Sequence, residues 1–149
     1  MYVDGKMWDW GDGTLKLADR TLIRFEELSG WGDSVERKLY YGKGNKPRGH
    51  TTGNYKAENP SIKMSAEEFN EILNDPEVQK KGILNTKFVI TLVLDKGNGE
   101  VYEGSLDGCM VIKRSLDNFK QGSDSIMRNL EFFSDGELVE NGASPFGDA

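Results

Sequence analysis

The 149-residue chain holds one histidine and one cysteine, which narrows the chemistry open to it. His50 lies in a polar stretch, Gly42-Lys43-Gly44-Asn45-Lys46-Pro47-Arg48-Gly49-His50-Thr51-Thr52-Gly53-Asn54. A catalytic histidine needs a nucleophile to serve, and no nucleophile elbow accompanies this one. His50 therefore reads as a solvated or interface residue. Zinc needs several Cys and His ligands, and single copies of each cannot supply them. Gly42-Lys43-Gly44 resembles the start of a phosphate loop, but it lacks the following Gly-Lys-Ser/Thr and the strand-to-helix setting. Glu26-Glu27 and Glu67-Glu68 are adjacent acids. Solvated strand edges and helix capping explain them better than acid/base catalysis. Cys109, in Cys109-Met110-Val111-Ile112, reads as a buried inert thiol and rules out an internal disulfide. Trp8, Trp10 and Trp31 would suit a ligand platform, although packing at a hairpin or subunit interface is the better account. The expectation is a protein without enzymatic activity, cofactor or metal.

In place of catalytic groups the chain carries charge in blocks. From Arg37 to Ala57 stand Arg37, Lys38, Lys43, Lys46, Arg48 and Lys56, with no acid. From Glu131 to Ala149 stand Glu131, Asp135, Glu137, Glu140 and Asp148, with no base. These blocks are either two solvated patches or complementary halves of a contact between copies. In the second case Lys43, Lys46, Arg48 and His50 form one side, and Glu131, Asp135, Glu137 and Glu140 the other. A head-to-tail contact of that kind generates rings and open filaments rather than closed dimers. The net charge of -6 argues against non-specific nucleic-acid binding, which depends on neutralising phosphates. It favours a soluble protein with a self-repelling surface.

The elements that must position these residues are mostly strands. The length suits one domain spanning residues 1–149, with an N-terminal arm (1–13), a long loop (42–54) and a C-terminal tail (140–149). A composition of 36% hydrophobic and 30% charged residues is that of a globular protein. No apolar run approaches the length of a membrane helix, and Met1-Tyr2-Val3-Asp4-Gly5 lacks the features of a signal peptide. Val35, Leu39 and Tyr41 alternate with polar residues, as do Ile62 and Met64. Phe88 to Leu94 is apolar on both faces and reads as a central strand buried on both sides. Lys96-Gly97-Asn98-Gly99 turns the chain into a return strand at Val101, and Cys109 to Lys113 continues the meander. Ser125 to Phe133 is the last long strand, with Ile126, Leu130 and Phe132 on one side. Asp135-Gly136 then signals a hairpin leading to Leu138-Val139. Leu15 to Ala18 and Leu22 to Leu28 form a first hairpin. A helix opens at Ser65, with a capping box to Glu68 and a staple between Met64 and Phe69. Its apolar stripe is Phe69, Ile72 and Leu73. Asp75-Pro76 starts a short turn with Pro at its first position, closed by Gly82. The fold class is mainly β: an antiparallel β-sandwich or barrel with one flanking α-helix and a long inter-strand loop.

At this level of layout the chain resembles the bacteriophage tail tube proteins. The resemblance is carried by Tyr41-Gly42-x-Gly44 with Pro47-Arg48-Gly49-x-Thr51-x-Gly53, and by the Ile62-Lys63-Met64-Ser65-Ala66-Glu67-Glu68 entry into a lone helix. Phe119-Lys120-Gln121-Gly122-Ser123-Asp124, Phe132-Phe133-x-Asp135-Gly136 and Asn141-Gly142-x-x-Pro145-Phe146-Gly147 extend it. It covers roughly residues 20 to 149. It implies a tube fold shared with type VI secretion and contractile bacteriocin tubes. It further implies hexameric rings stacked into a hollow conduit, placed in the virion tail and made in the host bacterial cytoplasm. The partners it implies are further copies of the chain, a sheath, a baseplate and a tail terminator, with DNA passing but not bound and no membrane engaged. The long loop of such proteins contacts the next ring, a role the layout transfers to Gly42–Asn54, and the terminal segments contact neighbours. Trp8-Asp9-Trp10 has no counterpart in that layout. Two other readings stay open: another small tail or baseplate component, and a monomeric β-sandwich binding module using the tryptophans.

Overall fold

The computed structural model describes residues 7–147 apart from 19, 52, 98, 118, 123 and 124. A single 3-10 turn, Trp10–Asp12, leads into the strands. In chain order these are β1 (Gly13–Leu17), β2 (Arg20–Leu22), β3 (Phe25–Ser29), β4 (Asp33–Glu36), β5 (Leu39–Tyr40), β6 (Gly49–His50), β7 (Asn54–Ala57) and β8 (Ser61–Ser65). Two helices follow, α1 (Ala66–Leu73) and α2 (Pro76–Lys81), and then β9 (Phe88–Asp95), β10 (Val101–Asp117), β11 (Met127–Ser134) and β12 (Leu138–Glu140).

Eight strands make one antiparallel sheet in the order β2-β1-β9-β10-β11-β8-β3, with β12 also paired to β10. Alternation puts one face of every strand into a common core. Leu15 pairs with Leu22 and Leu92, Leu17 with Ile90, Ile90 with Leu106, Val111 with Phe132, and Leu130 with Ile62. Leu15, Ile62, Met64, Ile90 and Phe132 are wholly buried. The sheet curls into a half-barrel. Its two edge strands, β2 and β3, are joined by Ile23 and Arg24 alone. Three peptide steps reach at most about 11 Å, so both edges come together at this seam.

The helices close the core. Phe69 and Ile72 of α1 and Val78 of α2 are buried in it. Ser65 caps α1, accepting a hydrogen bond from the Glu68 N–H at 3.2 Å. Only this half of the expected capping box forms. The Glu68 carboxylate is turned aside to Arg24 Nε at 3.4 Å, because the seam brings a guanidinium beside it. Glu71 takes Arg24 Nη2 and Arg20 Nη1, each at 3.3 Å, so α1 holds β2 and the linker at the seam. Asp75 caps α2, Pro76 opens it and Gly82 ends it at φ 85°.

The structure redraws several strands. Leu22 to Leu28 is split between β2 and β3, which lie on opposite edges of the sheet. The return strand and the Cys109 segment are one long strand, β10, with bulged register near Leu106–Cys109 and Val111–Lys113. β9 is central, yet it is buried on one face only: Phe88 and Ile90 are inside and Val89 is 42% exposed. Asp135-Gly136 does not reverse the chain. Both β11 and β12 run antiparallel to β10 along the same flank, β11 opposite residues 109–117 and β12 opposite Gly104–Leu106. The turn signal marks a crowded corner: a Cβ on Gly108 would lie 1.9 Å from the Asp135 side-chain oxygen Oδ1, and one on Gly136 2.6 Å from the Asp107 backbone oxygen.

Candidate functional site

The site that stands out is a projecting arm and the groove at its root. The segment 33–57 leaves the main sheet as a hairpin of two short ladders. β4 pairs with β7 from Asp33↔Ala57 to Glu36↔Asn54, and β5 pairs with β6 at Leu39↔His50 and Tyr40↔Gly49. The two are separated at Gly53, whose φ is +77° and whose Cβ position lies 1.2 Å from the Glu36 carbonyl oxygen. Only glycine tolerates so close an approach of the two backbones. Beyond this close approach the chain is stitched again. Lys38 N–H donates to Thr51 Oγ1 at 3.1 Å, Thr51 N–H to Lys38 O at 2.9 Å, and Arg48 N–H to Tyr40 O at 2.6 Å. The stretch Gly42–Asn54 is thus not a structureless loop, since Gly49–His50 is strand and Asn54 begins β7. Nor do Leu39 and Tyr41 share a buried face with Val35. The ladder breaks at Arg37, leaving Leu39 58%, Tyr40 64% and Tyr41 45% exposed.

Lys43, Lys46, Arg48 and His50 all sit on the distal arm and are exposed. The expected acidic surface is divided. Glu131 lies on β11 opposite Lys113 of β10 and Ser61 of β8. Asp135 is at the corner, ion-paired with Lys87 at 3.5 Å. Glu137 and Glu140 stand instead at the arm root. There they meet an acid that lay outside the acidic block, Asp33. Its Oδ2 accepts from the Tyr55 hydroxyl at 2.8 Å, and that hydroxyl accepts from Leu138 N–H at 2.9 Å. Glu140 accepts from the Tyr102 hydroxyl, which in turn accepts from Trp31 Nε1 at 3.0 Å. Burial pushes both phenols above their usual 10.0. The charges of Asp33 and Glu137 add to this at Tyr55, and the hydrogen bond to Glu140 adds to it at Tyr102. A Cβ on Gly104 would come within 3.0 Å of Trp31 Cζ2, so the indole lies on bare backbone.

A groove of about 450 Å³ opens beside this network, walled by Asp33, Val35, Tyr55, Glu140 and the Ser144–Phe146 turn. Phe146 meets Tyr55 edge-on, with ring centroids 5.8 Å apart. A second hollow of about 620 Å³ lies between β1, α2 and the start of β9. Asp33 could not be found from the charge blocks, since only the β4–β7 register carries it to β12. The tryptophans are dispersed. Trp31 belongs to the arm root, whereas Trp10 packs on Phe25 at 4.8 Å and Trp8 lies near Lys96. Cys109 is wholly buried, and burial pushes its thiol from 9.0 to about 11. Among the described residues no group of His, Cys, Asp and Glu could hold a metal, and no helix is long and apolar enough to cross a membrane.

No protein-family profile matches the chain, and no curated protein matches it at a significant level. Solved structures do. The sheath/tube terminator of an extracellular contractile injection system, PVC, in its extended state superposes with a TM-score of 0.69 at 16% identity, over 93% of this chain and 99% of that one. The tube-terminating cap of the anti-feeding prophage gives 0.69 at 17% identity, over 96% and 95%. The PVC sheath-tube complex in the extended state gives 0.68 at 14% identity, over 92% and 93%. At these identities the shared property is architecture, and it extends over nearly the whole of both chains. The chain has a phage-tail-tube-like fold.

Proposed function

We propose that the chain is a non-enzymatic structural subunit of a tail tube. It forms hexameric rings that stack into a hollow conduit within a contractile phage tail or a related injection particle. Sheath, baseplate and terminator proteins are its partners. The observation that carries this reading is the superposition on tube and tube-terminator subunits across more than nine-tenths of the chain. Two features support it. Edges β2 and β3 carry unpaired backbone groups, a liability that closure against neighbouring copies removes. The sheet face opposite the core mixes charged side chains with exposed Val89, Val101 and Phe133. Lys16, Lys63 and Lys113 are interspersed there with Glu27, Glu103, Asp117 and Glu131. In this reading that face lines the conduit, and its slight excess of acid lets DNA pass without adhering.

A terminating ring is the second reading, favoured by the terminator and cap superposing as well as the tube does. Electron microscopy of concentrated protein, alone and mixed with the neighbouring tail proteins, separates them. Continuous tubes are expected. Single rings that bind only the ends of preformed tubes would establish the terminator instead. A monomer under every condition would sink both.

A further inference from the structure

We propose that the turn ahead of β1 is an autoinhibitory clip. Trp10 at its tip holds β3 to the β1 side of the seam within one subunit, and its release frees that edge strand. The consequence for assembly rests on the tube reading, whereas the clip itself is a contact inside one chain.

The base of the clip is fixed at two places on one wall of the half-barrel. Gly13 opens β1 opposite Leu94 of β9. Trp8 lies with its ring 5.6 Å from the Lys96 ammonium, just past the end of β9. Lys96 is a firm anchor, since its side chain is almost wholly covered and paired with Glu100 at 2.7 Å. Between these points the chain makes its 3-10 turn, and the turn sets its own shape. Asp9 Oδ1 accepts from Gly11 N–H and Asp12 Oδ2 from Asp9 N–H, each at 3.0 Å, and Asp12 N–H donates to Asp9 O at 3.1 Å. The turn buries none of its residues, so the core does not hold it in place.

The tip reaches the other wall. Trp10 packs on Phe25, the first residue of β3, with ring centroids 4.8 Å apart. Phe25 is the point where β3 is held least by its ladder, because the register with β8 shifts between Phe25 and Glu27. Just before it stands the linker, whose Ile23 is 81% exposed. β3 is the last strand of the sheet and has no ladder on its outer side. The Trp10 contact is built to let go. The indole remains 61% exposed, so opening uncovers little surface, and the preformed turn can close again without refolding. An open clip leaves the start of β3 free to shift and its bare edge free to pair.

Hydrogen exchange on the full chain tests the clip, and light scattering of the same samples tests its effect on assembly. Trp10→Ala should speed exchange of the Arg20–Leu22 and Phe25–Ser29 amides about three- to tenfold, the range set by one aromatic pair, with β11 and α1 unchanged. Phe25→Leu, which keeps an apolar side chain against the core, should act alike from the other side of the contact. Trp10→Phe should restore most of the protection. Both loosened variants should form tubes after a shorter lag than the parent, and circular dichroism melts check that each one folds. Unchanged exchange in β2 and β3, or exchange raised evenly over the whole sheet, overturns the clip. Faster local exchange with an unchanged or longer lag overturns the autoinhibition and leaves the tube reading intact. A parent chain and variants that never assemble overturn both.

Discussion

Gly53 and Cys109 show what single residues do here. The Gly53 Cβ position is 1.2 Å from a backbone oxygen, so Gly53→Ala cannot be absorbed by a side-chain shift. The arm should lose its close backbone approach while the core stays folded. Limited proteolysis should then cut Arg37 or Lys38 far faster than in the parent, with the thermal midpoint almost unchanged; equal cleavage rates would contradict the assigned role. Cys109 was legible as an inert thiol because its neighbours are apolar, and the structure buries it completely. Its pKa rises from 9.0 to about 11 on folding. The protonated form is therefore favoured in the folded state. The associated stability is present below pH 9 and is lost as pH climbs toward 11, on the order of 2–3 kcal/mol. Tyr55 and Tyr102, both raised from 10.0, push in the same direction from pH 10 upward. Denaturant melts across this range should show a steady decline, and Cys109→Ser should flatten its lower portion. Glu68 was misread for a reason that lies in space: its partner Arg24 is 44 residues away, and no local signal announces it.

At the level of elements, legibility followed locality. α1 and its Ser65 cap, α2 with Pro76, and the β9–β10 turn were readable because each is encoded within a few residues. Ser65→Ala should lower stability by about 1 kcal/mol, measurable as a shift in urea midpoint at constant slope. The splitting of β2 from β3 and the pairing of β12 with β10 were not readable, because pairing partners lie far along the chain. The arm is the instructive case. A stretch rich in glycine and charge looked like loop, since its strands are two residues each and bury nothing. Because the main core does not depend on it, the tip should be dispensable for folding. Replacing Tyr41–Arg48 with Asn-Gly, to join Tyr40 to Gly49 by a tight turn, should leave the melt within about 0.5 kcal/mol. It should abolish tubes in sedimentation; normal tubes from this variant would mean the tip is no part of the stacking contact.

At the scale of the whole molecule, the blocks of charge were visible in the sequence but their geometry was not. The arm holds the bases together as one unit, whereas the acids disperse to a sheet face, a corner and a groove. Each exposed pair across copies contributes only about 0.2–1 kcal/mol, so assembly should be steeply sensitive to salt while folding is not. Sedimentation and melting of the same samples from low to high salt would show this, and a tube yield indifferent to salt would remove charge from the contact. The seam at Ile23 and Arg24 has a consequence in time. β1 waits for β9 and β3 waits for β8, so strands born first on the ribosome find their partners late. β1 in particular has no neighbour except its own short hairpin until residue 94 has emerged. Contacts between distant parts of a chain make folding slow, and the nascent chain must spend that interval with β-edges bare. The clasp of Arg20 and Arg24 on Glu71 then acts as a late lock. It can shut only once α1 has reached the β2–β3 linker, so a sheet that has not yet delivered α1 there leaves the linker unclasped.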